Sequence, residues 1–267
     1  MKHLLIAGAG FLGSEIARLA SSDYRVTTLT KSGGDGSLAC DLSSRADVQH
    51  LAANIDPPDL MIHSASSGRG GPEAYRGVFL DGTLFLKEAF PNAHLLLTSS
   101  TSVYHQTNGE EVDETSRTAP DRETSRILLE AEQQVDTAAR LGGLYGPNRS
   151  VIFRKFMDGS AVIEEDGRRI LNQIHVIDAA RACLFLASGR HRGIFNVTDN
   201  HPMSQLACYT EMARRFQRDL PPTGERNLSR KRAWTHKLVK NDKLRLLGWE
   251  PTFPSFLDAL DSLAAAS

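Results

Sequence analysis

Short apolar runs and helix-periodic segments alternate along the first half of the chain. Residues 4–7 are all apolar and are followed by Gly8, a pattern typical of a strand that is buried on both faces of a parallel sheet. Apolar residues then recur at helical spacing between positions 16 and 20. The same criteria predict further strands at residues 25–30, 37–40, 60–64 and 93–98, and helices at residues 45–54 and 73–89.

This alternation predicts the fold class. A crossover between two parallel strands needs about a dozen residues or more, and the helical segments supply that length. Strands that alternate with helices in this way favour a parallel sheet with helices on both sides. We therefore predict an α/β protein with a doubly wound, parallel, Rossmann-type sheet.

A glycine motif follows the first predicted strand. The segment GAGFLG places Gly8, Gly10 and Gly13 in the spacing G-x-G-x-x-G, with Phe11 and Leu12 between the last two. In such a motif the first glycine permits a tight turn, the second lets the backbone approach a pyrophosphate, and the third lets helix and strand pack closely. The N-terminus of the following helix offers N–H groups and a positive dipole to the anion. The expected ligand is a dinucleotide.

The residues that close the second predicted strand indicate which dinucleotide. An NAD-selective site carries an acidic residue about 20 residues after the glycine motif, where it binds the ribose 2′-hydroxyl. In this chain Thr30, Lys31 and Ser32 occupy that place. A missing carboxylate and an added ammonium suit a 2′-phosphate, so NADP is the expected cofactor and NAD is the alternative.

The second half of the chain is less regular. Pro120 and Asp121 are start signals for a long helix over residues 122–139, and residues 141–145 form the next strand-like run. Residues 194–197 are a further candidate strand of the sheet. The predicted domains are a dinucleotide-binding domain over residues 1–150, to which residues 172–197 return, and a smaller substrate-binding lobe over residues 151–267.

Composition narrows the class of function. Thirty-one Lys and Arg residues against 32 Asp and Glu residues give a net charge of -1, so no chain-wide field attracts nucleic acid or acidic membranes. The chain has no apolar run of about 18 residues or more. Its three cysteines are far apart, which is typical of reduced thiols, and no metal-ligand spacing occurs. We expect a cytoplasmic protein without a metal, a nucleic-acid partner or a membrane partner.

Several short motifs follow one another along nearly the whole chain. They are GAGFLG at residues 8–13, Asp41-Leu42, His63-Ser64-Ala65, SSTSVY at residues 99–104, LYGP at residues 144–147, HVIDAA at residues 175–180 and FNVTD at residues 195–199. In this order they resemble the extended short-chain dehydrogenase/reductase family, the group of nucleotide-sugar epimerases and dehydratases. The resemblance implies a Rossmann-like lobe for the dinucleotide, a C-terminal lobe for the substrate and a cleft for hydride transfer between them.

The resemblance also implies roles for individual residues that follow the predicted strands. Asp41 and Leu42 would flank the adenine. Ser64 and Ala65 would line the path of the ribose and the pyrophosphate, and Tyr145 would border the nicotinamide. Ligands of doubly wound sheets bind beyond the carboxyl ends of the strands, which is where these residues are expected.

The chain departs from the family at the centre of the chemistry. The family uses Ser or Thr, Tyr and Lys, and the Tyr moves a proton to or from the substrate oxygen. Ser100 matches the family's Ser. Where Y-x-x-S-K-x-x-x-E is expected, the chain reads RETSRILLE, so Arg122 stands at the Tyr place and Arg126 at the Lys place. Arg126 can bind a hydroxyl or a phosphate, but a guanidinium does not serve as an acid near neutral pH.

If hydride is transferred, the proton must come from another group. His105 and Tyr104 are the first candidates because they follow Ser100 closely, and Tyr145, His175 and bound water are the others. Each also has a structural interpretation, since such a tyrosine more often packs in a core and His105 could be an ordinary loop histidine. The candidate catalytic residues are Ser100, Tyr104, His105 and Arg126.

A basic segment bears on the substrate. Six basic residues and no acidic residue lie between Arg226 and Lys240, together with Trp234. Such a segment suits a small-molecule substrate that is phosphorylated or nucleotide-linked, and a solvated loop explains it equally well.

The sequence therefore predicts an NAD(P)-dependent oxidoreductase or an epimerase/dehydratase-like enzyme that acts on a small carbonyl, alcohol or nucleotide-sugar-like substrate. Two alternatives stay open. One is a non-catalytic NADP(H)-binding sensor or scaffold, and the other is isomerisation or dehydration through transient oxidation. Helices beside the sheet, including residues 122–139, could also pair in a homodimer.

Overall fold

The structure is a computed structural model that describes residues 1–68, 70–118, 122–226 and 234–266. The strands within these residues are β1 (Lys2–Ala7), β2 (Tyr24–Thr30), β3 (Leu38–Ala39), β4 (Leu60–His63), β5 (His94–Ser100), β6 (Glu110–Val112), β7 (Thr137–Leu141), β8 (Gly143–Tyr145), β9 (Ile163–Glu164), β10 (Ile170–Leu171), β11 (Gln173–His175), β12 (Gly193–Val197), β13 (Met203–Ser204), β14 (Thr223–Gly224) and β15 (Lys237–Val239). The α-helices are α1 (Phe11–Ala20), α2 (Arg45–Asn54), α3 (Pro72–Arg76), α4 (Gly82–Ala89), α5 (Glu123–Glu132), α6 (Val151–Met157), α7 (Val176–Ser188), α8 (Gln205–Phe216), α9 (Asp242–Leu246) and α10 (Leu260–Ala265).

Seven strands form one sheet in the order β12-β7-β5-β4-β1-β2-β3. Strand β1 pairs in parallel with β2 on one side and with β4 on the other, and the pairs β2–β3 and β4–β5 are also parallel. The strand order therefore reverses at β1, and the carboxyl end of β1 is the topological switch point at which doubly wound sheets bind ligands. The predicted α/β fold with a doubly wound parallel sheet is confirmed.

A π-helical turn at Gly77–Asp81 joins α3 to α4 in what the sequence predicted as a single helix over residues 73–89. The imidazole Nε2 of His63 lies 2.9 Å from the carbonyl oxygen of Val78, inside this turn. Burial lowers the pKa of His63 to about 4, so the ring is neutral and its Nε2–H can donate to that carbonyl. A side chain bonded to a helix carbonyl in this way accounts for the local departure from α-helical hydrogen bonding.

The predicted helix over residues 122–139 is wrong in its second half. Helix α5 ends at Glu132, and Thr137–Leu141 is strand β7 of the main sheet. The alanines and the arginine of this segment favour a helix locally, but all five residues are buried, and a buried place in the sheet overrides that preference. The predicted start signals Pro120 and Asp121 lie outside the described residues.

The predicted strand over residues 141–145 is also corrected. Only Leu141 of that run belongs to the main sheet, as the last residue of β7. Gly143–Tyr145 forms β8, which pairs in parallel with β11 in a separate two-stranded sheet. The predicted strand at residues 194–197 is confirmed as β12, at the edge of the main sheet.

The chain divides into two compact units. The first comprises the described residues of Met1–Val103, Pro120–Arg140 and Ala179–Phe195, and the second comprises those of Tyr104–Ala119, Leu141–Asp178 and Asn196–Ser267. The chain thus passes between the units several times, and the predicted domain boundary near residue 150 stays a prediction.

Each unit has its own hydrophobic core. In the first unit Leu5, Leu29 and Met61 of the central strands are buried with Val48 of α2 and Leu86 of α4. The core of the second unit gathers aromatic and apolar side chains from β8, α6, α8 and the C-terminal helices, namely Tyr145, Phe153, Phe156, Cys208, Tyr209, Met212, Phe256, Leu260 and Leu263. The three cysteines, Cys40, Cys183 and Cys208, are buried and unpaired.

A buried ion pair fastens α5 to two strands of the first unit. Arg140 of β7 donates from Nε and Nη2 to the carboxylate of Glu132 on α5, with the Nη2–Oε2 bond at 2.6 Å, and both side chains are 3% exposed. The hydroxyl of Ser99, on β5, donates to the same carboxylate. The position of α5 relative to the end of β5 therefore depends on charged groups that are almost completely buried.

Replacing Arg140 with Met tests how much this ion pair stabilises the fold. The change leaves the Glu132 carboxylate buried without its counter-charge, which costs about 3–5 kcal/mol of unfolding free energy. The matched control is Arg76→Met, which removes the exposed partner of Glu130 on the same helix and should cost about 1 kcal/mol or less. Urea denaturation measures both variants, and equally small losses would contradict the assigned importance of the buried pair.

Candidate functional site

The glycine motif forms a tight contact between β1, α1 and the residues that follow β4. Gly8 has a φ of +104°, and a Cβ built on it would lie 2.4 Å from the backbone of Ala65. A Cβ on Gly13 would lie 1.9 Å from the carbonyl oxygen of Gly8 and 2.8 Å from Oγ of Ser64. The Ser64 hydroxyl donates to that same carbonyl oxygen at 2.8 Å. Side chains at positions 8 and 13 would therefore force this contact apart.

The N-terminus of α1 is built to receive an anion. Its N-cap residue is Gly10, which supplies no side-chain hydrogen bond to the first turn, and the ten-residue helix has no acidic residue in that turn. A Cβ on Gly10 would meet no atom within 4 Å, so the space beside this backbone is open. First-turn amides and the positive end of the helix dipole attract phosphate groups at such a place.

The end of β2 lies directly beside the glycine motif. The amides of Gly8 and Ala9 both donate to the carbonyl oxygen of Leu29, at 3.0 and 3.1 Å. Thr30 and Lys31 follow Leu29, so the residues predicted to select the cofactor are next to the predicted pyrophosphate site. The Thr30 Oγ1 atom is buried and has no hydrogen-bond partner within the part of the chain that the structure describes.

Lys31 is held by a carboxylate from the next loop. Its ammonium lies 2.7 Å from Oδ2 of Asp41, and the Lys31 side chain is 80% exposed against 25% for Asp41. The other oxygen, Oδ1, accepts hydrogen bonds from the amide and the hydroxyl of Ser43. The Lys31 ammonium, with the Ser43 hydroxyl second, holds the pKa of Asp41 below its usual range, so this carboxylate is ionised near neutral pH.

These features fit a dinucleotide at the carboxyl end of β1. The first unit contains all of the residues predicted to contact it except Tyr145, that is Gly8, Gly10, Phe11, Leu12, Gly13, Thr30, Lys31, Ser32, Asp41, Leu42, Ser64 and Ala65. Of the candidate catalytic residues, Ser100 and Arg126 lie in the first unit, whereas Tyr104 and His105 lie in the second. The fit rests on the open backbone at Gly10, the uncapped helix and the ammonium at the end of β2.

Ser100 ends β5 and is partly exposed. Its Oγ accepts a hydrogen bond from the amide of Ser102 at 3.1 Å. An oxygen that already accepts a bond has its own O–H proton available for a further acceptor, such as a carbonyl oxygen. Ser99 precedes it and points to the other face of the strand, where it bonds Glu132.

The two arginines of α5 lie one helical turn apart, as the spacing predicted. Arg122 is the N-cap residue in an extended conformation, and the amide of Arg126 donates to its carbonyl oxygen at 3.2 Å. The Arg126 side chain is exposed, whereas the next two residues, Ile127 and Leu128, are buried. Arg126 thus offers a permanently charged group at the surface of the first unit.

Tyr104 is fully buried, and its hydroxyl donates to Oδ1 of Asn196 at 2.9 Å. Its carbonyl oxygen accepts a hydrogen bond from the ammonium of Lys237 at 2.7 Å. Burial lowers the pKa of Lys237 to about 7, and nearby Arg169 acts in the same direction. His105 follows Tyr104 and is partly exposed. The backbone at residues 104–105 is therefore fixed from inside the second unit.

Tyr145 is a core residue of the second unit. Its ring packs edge-on against His175 and Phe256, with centroids 5.2 and 4.8 Å apart. Its hydroxyl is buried and lacks a hydrogen-bond partner among the described residues. Burial and the nearby Asp199 carboxyl raise the pKa of this phenol, so it stays protonated. Its predicted contact with the nicotinamide stays a prediction.

The sequence did not identify the buried polar residues that hold these candidate residues in place. Arg140 carried a signal, since an arginine inside the apolar run of residues 137–141 indicates a buried partner. Asn196 lies in the FNVTD motif, but the motif does not show that its side chain bonds Tyr104. Glu132 carried no signal for its bond to Ser99, which lies 33 residues away in sequence.

The basic segment between Arg226 and Lys240 is less uniform than its composition indicated. Arg226 pairs with Glu165 and stacks on Trp234, with its guanidinium 3.7 Å from the ring centroid. Lys237 is buried, and Lys240 pairs with Asp242 at 3.4 Å. Arg230, Lys231 and Arg232 lie outside the described residues. The segment is therefore not a uniformly solvated charge run.

The described residues also bear on membrane spanning and on metal binding. No helix in that part of the chain is both long and apolar enough to cross a membrane. No group of three or more His, Cys, Asp or Glu side chains there is arranged to hold a metal ion.

Comparison with known families and proteins agrees with this architecture. The profile of the NAD dependent epimerase/dehydratase family matches residues 4–198. A curated protein from a Streptomyces species, 3-diazoavenalumate denitrifying reductase, is 27% identical over 301 aligned positions, which cover 97% of this chain and 99% of that protein.

Solved structures share the fold at low sequence identity. Human epimerase family protein SDR39U1 (isoform 2) with NADPH superposes with a TM-score of 0.82 at 17% identity, covering 99% of this chain and 100% of that one. UDP-glucose 4-epimerase from Thermus thermophilus, in complex with NAD, superposes with a TM-score of 0.81 at 19% identity, covering 99% and 98%.

The pair Gly10→Ala and Gly13→Ala separates ligand binding from folding. Gly10→Ala adds a methyl group where the structure has open space, so the unfolding free energy should stay within about 0.5 kcal/mol of the original. The same methyl group obstructs the approach of a pyrophosphate, and NADPH affinity should fall about tenfold or more, which is ~1.4 kcal/mol.

Gly13→Ala is the contrasting variant. Its Cβ would collide with the carbonyl oxygen of Gly8, so we expect a loss of about 1–3 kcal/mol in unfolding free energy. Thermal unfolding and NADPH titration are measured on both proteins. Unchanged NADPH affinity in Gly10→Ala would contradict the assigned binding place.

Asp199→Asn tests the electrostatics around Tyr145. Burial, reinforced by the Asp258 carboxylate, raises the pKa of Asp199 well above its ordinary value. At pH values below the pKa of Asp in the unfolded protein, about 3.9, the protonated side chain makes its full contribution to the unfolding free energy. The original protein loses that contribution as the pH rises from there toward the raised folded pKa, because only the unfolded state ionises readily.

The Asn variant stays neutral and should therefore gain stability relative to the original protein as the pH rises from about 4 to 8. Urea denaturation at several pH values measures this difference. Exposed Asp23→Asn is the control and should follow the original protein throughout. A relative loss of stability by Asp199→Asn toward pH 8 would show that the buried carboxyl is ionised and paired.

Proposed function

Because the chain belongs to the NAD dependent epimerase/dehydratase family, we propose that it is an NADP-dependent oxidoreductase that reduces a small carbonyl compound. The observation that carries this proposal is the glycine motif with Lys31 beside it. The open backbone at Gly10 and the uncapped first turn of α1 suit a pyrophosphate, and the Lys31 ammonium suits a 2′-phosphate.

NADP is preferred to NAD for reasons that lie in this chain. No carboxylate stands at residues 30–32 to bind a ribose 2′-hydroxyl, and Lys31 and Ser32 supply donors there instead. The NADPH complex of SDR39U1 is compatible with this preference, whereas the Thermus epimerase complex contains NAD. NAD is therefore the alternative, and tighter binding of NADH than of NADPH in a fluorescence titration of the purified protein would favour it.

When bound, the nicotinamide supplies or accepts a hydride. The chain must then position the substrate oxygen and handle a proton. Ser100 suits the first task, since its Oγ accepts the Ser102 amide and its O–H remains available to donate to a carbonyl oxygen. Arg126 supplies positive charge from α5, which would favour negative charge that develops on that oxygen or bind a phosphate of the ligand.

His105 is the stronger candidate for the proton. The Tyr104 hydroxyl is buried and donates to Asn196, so its proton is already engaged. His105 is partly exposed, and histidine is the side chain that most often serves as a general acid or base. Tyr104 then acts through its fixed backbone, which Lys237 holds in place beside His105.

The proposed substrates cover several classes of small molecule, whereas the proposed reaction is a reduction. The Streptomyces relative is named as a reductase, which favours net reduction by this chain as well. The nucleotide-sugar specificity of the Thermus epimerase keeps a nucleotide-sugar-like substrate in the candidate set. The same proposal assigns the substrate lobe to residues 151–267, apart from residues 172–197, which are predicted to return to the dinucleotide-binding domain.

A non-catalytic NADP(H)-binding sensor is the second candidate. Arg122 and Arg126 at the places of the family's Tyr and Lys favour it, because neither guanidinium can donate a proton near neutral pH. A sensor needs only the dinucleotide site of the first unit and a response to its occupancy.

Turnover experiments distinguish these functions. Purified protein is incubated with NADPH and a panel of aldehydes, ketones and nucleotide sugars, while NADPH absorbance and product mass are followed together. Net reduction consumes NADPH with product formation, whereas isomerisation yields product without net consumption. Tight NADPH binding with no turnover across the panel would support the sensor and contradict the oxidoreductase.

The substrate that is turned over then tests His105. His105→Ala should slow single-turnover NADPH oxidation by about 10²–10⁴-fold, the usual contribution of a general acid, with NADPH affinity unchanged. Exposed His50→Ala on α2 is the matched control and should leave the rate unaltered. A rate unchanged in His105→Ala would remove this residue from the mechanism.

A further inference from the structure

The ion pair between Lys31 and Asp41 places a negative charge where a 2′-phosphate is expected. We propose that Asp41 sets the discrimination between NADPH and NADH, because its carboxylate competes with the 2′-phosphate for the Lys31 ammonium. This inference rests on the dinucleotide-binding function proposed above and assigns a specificity-determining residue to that site.

The two partners differ in how firmly they are held. The Asp41 Oδ1 atom accepts both the amide of Ser43, at 3.0 Å, and its hydroxyl, at 2.6 Å. These bonds fix the carboxylate independently of Lys31. Lys31 has an 80% exposed side chain, and a long flexible stem lets its ammonium move between acceptors. Asp41 is therefore the fixed group, and Lys31 is the group that can be exchanged.

The backbone places this pair beside the glycine motif. The amides of Gly8 and Ala9 donate to the carbonyl of Leu29, and the amide of Cys40 donates to the carbonyl of Thr30 at 2.9 Å. Lys31 and Asp41 are the next residues along each chain segment. A phosphate on the ribose of a dinucleotide held by the glycine motif would therefore meet both charges.

Charge explains the direction of the effect. A phosphate monoester carries about −1.5 to −2 charges at pH 7. Bound NADPH must draw the Lys31 ammonium from its pairing with Asp41 and must tolerate the Asp41 carboxylate nearby, and both requirements weaken NADPH binding. NADH carries no 2′-phosphate and escapes both. Asp41 consequently lowers the preference for NADPH that Lys31 creates.

Asp41→Asn removes the charge and keeps the turn. The amide oxygen of Asn can still accept from Ser43, so the loop geometry is retained. NADPH and NADH affinities are measured by nicotinamide fluorescence. We expect the ratio of the NADH to the NADPH dissociation constant to rise about fivefold, comparable to an exposed ion pair of up to ~1 kcal/mol. Using the ratio cancels any effect of position 41 on the adenine, which both dinucleotides share.

Lys31→Met supplies the second arm of a double-mutant cycle. It should lower the ratio, and in the Lys31→Met background Asp41→Asn should raise the ratio less than it does in the original protein, because the competition for the ammonium is gone. The gain in Asp41→Asn should also shrink at high salt, since exposed charges are screened. Asp56→Asn is the matched control, because Asp56 pairs with Arg25 near the opposite end of β2, and it should leave the ratio unchanged.

The outcomes separate this inference from the function on which it rests. If both dinucleotides bind but Asp41→Asn leaves the ratio unchanged or lowers it, Asp41 does not compete with the 2′-phosphate and the inference is overturned alone. An equal rise in the Lys31→Met background would overturn it as well. If the original protein binds neither dinucleotide, the proposed function itself fails and the inference falls with it.

Discussion

The absence of side chains at Gly8 and Gly13 is the constraint on which the candidate site depends. It lets the end of β1, the first turn of α1 and the residues after β4 approach until Ser64 bonds the Gly8 carbonyl. That contact exposes the start of α1 at the switch point of the sheet and brings the end of β2 alongside. The first turn of α1, Lys31 and Asp41 lie in one region because the backbone is packed this closely.

Buried polar groups organise the remaining candidate residues. In the first unit, the Glu132 carboxylate accepts hydrogen bonds from Ser99, which precedes Ser100 on β5, and from Arg140. In the second unit, Lys237 bonds the backbone carbonyl next to His105. Buried polar groups of this kind are costly unless they are hydrogen-bonded, so they fix the geometry of what they contact. Each unit thus positions one candidate catalytic residue, Ser100 in the first and His105 in the second, by a different set of contacts.

How much could be predicted from the sequence depends on how far apart in the chain the interacting residues lie. The glycine motif was predictable because its spacing encodes a local turn, and the alternation of strands and helices indicated the parallel sheet. The prediction of a helix over residues 122–139 was wrong in its second half because the helical periodicity continues into residues that are buried in the sheet as β7. Lys237 was assigned to a basic segment, since nothing in its neighbours shows that it folds against Tyr104, more than a hundred residues away. Membership of the family establishes the fold and the type of cofactor. It does not identify a proton donor, because Arg122 and Arg126 stand at the places of the family's Tyr and Lys.

The central claim is that main-chain groups at the start of α1 hold the diphosphate of a nicotinamide dinucleotide. A crystal structure of the protein grown with NADPH tests it most directly. The account predicts diphosphate oxygens within hydrogen-bonding distance of the first-turn amides of α1, with the backbone of Gly10 in contact. Electron density for the dinucleotide at another place, with the Gly8–Gly13 turn empty, would contradict it.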